Sequence, residues 1–92
     1  MSAVASYVRM IEKARKNLSD SLSLLLSQKD YFKKFDNFQN IVTTSRALID
    51  SSDQKSIEGA SAEVIVFKTH ALVSQTGVLR TLYEQAVKKG VS

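Results

Sequence analysis

No proline interrupts the 92 residues, and glycine occurs only at positions 59, 77 and 90. These two residue types stop helices and shape tight turns, so their scarcity favours long helices over strands joined by hairpins. At the roughly 100° per residue of an α-helix, the apolar side chains fall into three stripes.

The first stripe holds Val4, Tyr7, Val8, Ile11, Ala14, Leu18, Leu22, Leu25 and Leu26, with Val4, Ile11, Leu18 and Leu25 spaced seven apart. Arg9, Lys13, Lys16 and Asp20 lie opposite. This pattern predicts an amphipathic helix over about 3–26 with a near-heptad seam. The register cannot continue, because Lys29 and Lys33 would then fall on the apolar face. A new stripe follows through Tyr31, Phe35, Phe38, Ile41, Val42, Leu48 and Ile49, which predicts a second helix over about 29–50. Ser27 and Asp30 are spaced as a capping box for its start, and Asp36-Asn37 is a second candidate turn.

Ser51-Ser52-Asp53-Gln54-Lys55-Ser56 reads as a loop, since these side chains bond readily to nearby backbone. Beyond it runs a stripe of Ile57, Ala60, Val64, Ile65, Phe67, Ala71, Leu72, Val78, Leu79, Leu82, Tyr83 and Ala86. Val64 to Phe67 has a local strand character, but the helical period holds around it. Lys88, Lys89 and Gly90 form a helix ending, so the third helix is expected over about 54–89. The expected fold is all-α: one domain, a three-helix up-down-up bundle with an overlong C-terminal helix. That last helix would measure about 50 Å against about 35 Å for the others. Either it breaks near Gly59 or Gly77, or its end projects. Projection would expose Val78, Leu79, Leu82, Tyr83 and Ala86 as an assembly surface.

Several chemistries lack their parts. Without cysteine there is no disulfide, thiol nucleophile or zinc–thiolate site. His70 is the only histidine and sits on the polar side of its helix, and the nine carboxylates are scattered. There is no glycine-rich phosphate loop and no metalloprotease or nucleophile-elbow motif. No enzyme, metal site or cofactor is therefore expected. No apolar run approaches the about 18 residues of a membrane span, and no charged segment precedes an apolar one at the N-terminus. A soluble, cytoplasmic chain is the expectation.

What remains is surface. Lys68 and Gln75, one heptad apart and near the centre of the third apolar face, suggest a polar layer that sets helix register or meets a partner's carboxylate. Lys68 could instead pack its methylenes and extend its charge to water. Lys29, Lys33 and Lys34 are interleaved with Tyr31, Phe32, Phe35 and Phe38, a mixture suited to single-stranded nucleic acid or an anionic surface. Shared helical phase favours reading those aromatics as core. Arg9, Lys13 and Lys16 could add phosphate contacts, and residues 1–46 carry eight basic against four acidic side chains. A chain this small buries little of its own surface, so a protein partner or homo-oligomer is expected. The favoured function is a non-catalytic interaction module, adaptor or structural subunit. The alternatives are a self-assembling filament or secretion-apparatus subunit with paired terminal helices, and a small basic binder of nucleic acid or an anionic surface.

Overall fold

The fold comes from a computed structural model that describes residues 3–90, with side chains from Ala5 onward. The Val4 side chain of the first stripe lies outside the described residues. Five helical segments follow one another: α1 (Ala3–Leu26), α2 (Lys29–Phe32), α3 (Phe38–Asp50), α4 (Gln54–Ile57) and α5 (Ala62–Lys88). The described chain contains no strand. It forms a rod of 48 × 20 × 16 Å.

The rod is built on α1 and α5, which pack against each other along their lengths while α3 lies against both. On α1 Ile11, Ala14, Leu18, Ser21 and Leu25 are buried in alternating steps of three and four, and Leu22 is buried beside them. On α5 they are Ile65, Thr69, Leu72, Thr76, Leu79 and Ala86, with half-buried Tyr83 keeping the same step. Two seven-residue repeats thus face each other. From Ile11 to Leu25 and from Ile65 to Leu79 these series alternate large with small side chains. The Thr69 and Thr76 hydroxyls donate to the Ile65 and Leu72 carbonyls, both at 2.8 Å, so they enter the core already satisfied. Each fully buried leucine of this seam contributes about 1.5–3 kcal/mol of apolar burial.

Direction follows from which residues meet. One groove between the long helices is lined by Ala14 and Asn17 with Val73, Thr76, Gly77 and Arg80. The next is lined by Asp20, Ser21 and Leu24 with Leu79, Arg80, Tyr83 and Glu84. Numbers rise together, so α1 and α5 run the same way. Against α5, α3 runs in reverse: Ile41 and Ser45 meet Gln75, whereas Ser51 meets Lys68.

Three expectations need correction. The second helix does not run from 29 to 50, because residues 33–37 interrupt it. Lys33, Lys34, Asp36 and Asn37 supply no apolar face to hold a helix there. Both candidate turns are used, at 27–28 and at 33–37. The Ser27 hydroxyl donates back to the Leu24 carbonyl instead of capping α2. The break also reassigns the aromatics. Phe32 and Phe38 are buried and stacked with centroids 5.8 Å apart, Tyr31 meets Phe32 edge-on, and Phe35 is turned outward at 45% exposure.

The third helix likewise begins at 62, not 54. The Asp53 side chain accepts from the Ser56 amide at 2.8 Å and caps the single turn α4, which buries Ile57. Gly59 then takes φ +78°, and the Ser61 hydroxyl accepts from the Val64 amide to start α5. Gly77 lies within α5, which runs through it unbroken to Lys88, and Gly90 follows at φ +85°. The third correction concerns the overhang. At 27 residues against 24, α5 nearly matches α1, and Leu79 and Ala86 are buried in the core.

Candidate interaction surfaces

The seam of α1 and α5 leaves two flanks. One carries Val8, Arg15 and Leu22 from α1 with Lys68, Gln75 and Leu82 from α5, and α3 lies along it from Leu82 to the level of Arg15 and Lys68. Polar side chains as well as apolar ones link the covering helix to α1 and α5. Arg15 Nε donates to the Ile49 carbonyl at 2.8 Å, and Lys68 Nζ to the Ser51 carbonyl at 2.6 Å. The last turn of α3 contains no basic residue of its own. Two cations from neighbouring helices therefore neutralise its carbonyl end. Gln75 Nε2 donates to Ser45 Oγ at 3.0 Å and lies 3.4 Å from the Ile41 carbonyl, while Ser45 Oγ donates to the same carbonyl at 2.8 Å. Ser45 is completely buried. Lys68 and Gln75 thus set how α3 sits on the long helices within the chain. Leu82, half-buried, packs beside the aromatic layer of Phe32, Phe35 and Phe38.

Among the described residues, no helix lies over the other flank. It presents Met10, Asn17 and Leu24 from α1 and Val66, Val73, Arg80 and Val87 from α5. Met10 is 38% exposed, Leu24 52%, Val73 56% and Val87 50%. A shallow cavity of about 260 Å³ opens around Asn17, Val73 and Gly77. A Cβ built on Gly77 would meet nothing within 4 Å, and its φ is not positive. Nothing within its own chain therefore calls for glycine at this mid-helix position.

A second uncovered strip lies further round α5, with Val64 and Val78 each 43% exposed and Phe67 75% exposed. Of the residues expected at a partner surface, Val78 belongs to this strip. Leu82 and Tyr83 are half-buried, and Leu79 and Ala86 are internal.

The six basic residues expected to meet anions are not gathered into one surface. Arg9, Lys13 and Lys16 stand along the exposed side of α1, whereas Lys29, Lys33 and Lys34 surround α2 beyond its far end. Arg9 is separated from the end of α1 by about 25 Å of helix. Lys16 pairs with Asp20 and Lys33 with Asp30, each at 3.5 Å, and Lys34 Nζ sits 4.6 Å from the centre of the Tyr31 ring. A cavity of about 650 Å³ is lined by Lys29, Lys33 and Arg46 but also by Asp30 and Asp36. The cations here are largely balanced.

Among the described residues, no three histidine or carboxylate side chains gather as a metal site would require, and no helix is long and apolar enough to cross a membrane. His70 is exposed. The Asp53 carboxyl is held below the ordinary aspartate range by its bonds from Ser56, the backbone amide first, with Arg15 and Lys55 adding smaller pulls. That shift belongs to a helix cap.

Comparison with protein-family models, curated proteins and solved structures gives no match for this chain.

Sequence reasoning missed Arg15, Ser45 and the open flank. Arg15 was legible only as one cation of an amphipathic helix. Its role depends on where α3 ends. The open flank has a visible signal after the fact: Met10, Asn17 and Leu24 repeat at seven, as Val8, Arg15 and Leu22 do on the covered side.

Proposed function

We propose that this chain is a non-catalytic helical interaction module, an up-down-up unit of two long helices and a shorter one between them, that packs against other chains through α5 and its α1 flank. The observation carrying this reading is the distribution of uncovered apolar side chains. Among the described residues, five of the eight large exposed ones stand on α5, on the sides that α3 leaves free. Side chains of this kind in runs along a helix, not scattered singly, mark association surfaces. The module's remaining chemistry is internal: Arg15, Lys68 and Gln75 hold α3 in place, which leaves the outer helices rigid enough to present a fixed surface.

A two-part experiment tests the reading. Sedimentation of the full chain over a dilution series should show association, and Val64→Ser with Phe67→Ser or Val73→Ser with Val87→Ser should weaken it while leaving helicity and Tm nearly unchanged. A compact monomer throughout, with no chain cross-linked to it in its native cells, would contradict the proposal.

The pairing of the terminal helices α1 and α5 as the main packing element favours a second reading, a self-assembling subunit. Electron microscopy of concentrated protein separates the two. Filaments support open-ended assembly, and discrete particles support the module.

A further inference from the structure

We propose that the open flank of α1 and α5 binds a second copy of this chain, laid antiparallel about a two-fold axis at the level of Asn17. This rests on the interaction-module reading and names its occupant.

The argument is one of self-complementarity, which a two-fold interface demands because each patch must fit itself. Take an axis crossing α1 at Asn17. Met10 lies seven residues before it and Leu24 seven after, so each apolar residue meets the other across the interface. Lys13 lies four before and Asp20 three after, so each Lys13 faces the second copy's Asp20, whose exposed pairing with Lys16 in its own helix leaves the carboxylate open on its other side. Asn17 meets its own counterpart, and an amide, being donor and acceptor at once, can bond to itself. A central asparagine in a helical interface also fixes register.

The same axis gives α5 a matching pair. Val73 and Gly77 line the groove that Asn17 lines, and they straddle its level. The axis sets Val73 of one copy over Gly77 of the other, and reciprocally. Space above Gly77 is open, and glycine in a helix interior costs stability relative to alanine. No contact within the chain explains that cost. A valine received from a second copy does.

The test uses the absence of native cysteine. Two cysteines bridge only with Cα atoms within about 7 Å, so a single cysteine at a two-fold axis cross-links to itself. Under mild oxidation, Asn17→Cys should give a covalent dimer, whereas Phe67→Cys on the outer strip should not. Gly77→Lys should keep the helical spectrum and an equal or higher Tm at dilutions where the chain is monomeric, yet abolish the dimer. Lys13→Asp and Asp20→Lys should each weaken dimerisation about tenfold, since each creates two repulsive pairs. Together they should restore most of it, because the charges that face across the interface are exchanged and only the exposed Lys16–Asp20 pair within α1 is lost. Cross-linking at Phe67→Cys but not at Asn17→Cys, with the dimer surviving Gly77→Lys, would overturn this interface while leaving the module reading intact. A monomer at every concentration would overturn this interface. If no chain is cross-linked to that monomer in its native cells, the module reading falls with it.

Discussion

The two flanks of the α1–α5 pair are drawn from equivalent positions of one repeat, yet only one is occupied. On the covered side, α1 offers Val8, Arg15 and Leu22, an apolar–polar–apolar series in which the central side chain reaches the Ile49 carbonyl of α3. On the open side it offers Met10, Asn17 and Leu24, the same series with no helix opposite. The difference teaches what a flank of this composition is for. Where a helix lies against it, the apolar residues pack and the polar one fixes register. Where none does, the same residues remain in water, with Leu24 and Val73 more than half exposed.

The largest effect should come from the seam that both flanks share. Leu18→Ala or Leu72→Ala, each removing a completely buried side chain, should cost about 2–5 kcal/mol in denaturant unfolding and loosen both sides together. Next come the links that distinguish the covered flank. Arg15→Met should cost about 1–2 kcal/mol, because the Ile49 carbonyl loses a charged donor. Hydrogen exchange should then quicken in α3 before α1 or α5. Equal protection of all three helices would mean that apolar contacts alone hold α3.

Opposite signs are expected on the open flank. Gly77→Ala should stabilise the isolated chain by about 0.5–1 kcal/mol, since the added methyl meets nothing and the helix gains propensity. Val73→Ser should change the stability of the dilute chain by less than about 0.5 kcal/mol. A larger loss from Val73→Ser would show that the flank is buried within the chain after all.

The smallest effect lies at the α4 turn. Asp53 titrates below the ordinary aspartate range, so its contribution to stability is complete above that range and is lost as pH falls through its own lower value. Asp53→Asn should keep most of the cap while removing this acid sensitivity, as read from the amide signal of Ser56 during a pH titration.

How much of this was legible beforehand differs between the two long helices. The seam of α1 could be read almost residue by residue, because Ile11, Leu18 and Leu25 recur without a competing phase; only Ser21 was overlooked. In α5 apolar side chains are spread around the circumference. A stripe drawn through Val64, Phe67 and Val78 pulled the apparent face away from Thr69 and Thr76. Those two look polar in a sequence but bond to their own helix and bury their methyls. That shift of phase also placed Lys68 and Gln75 at the centre of a face whose edge they form. The breaks at 33–37 and 58–61 were harder still. The first contains neither proline nor glycine, and the second depends on Ser61 acting as a cap when its position also suited a helix interior. The open flank required knowing which side α3 takes, and no local pattern states that.

The most direct measurement compares the flanks in solution by methyl NMR of the full chain across a concentration series. The account predicts that the methyl signals of Leu24, Val73 and Val87 shift as concentration rises, while those of the buried Leu22 and Val42 on the covered side stay fixed. Concentration-independent spectra, or shifts confined to Val64 and Val78 on the outer strip, would contradict it.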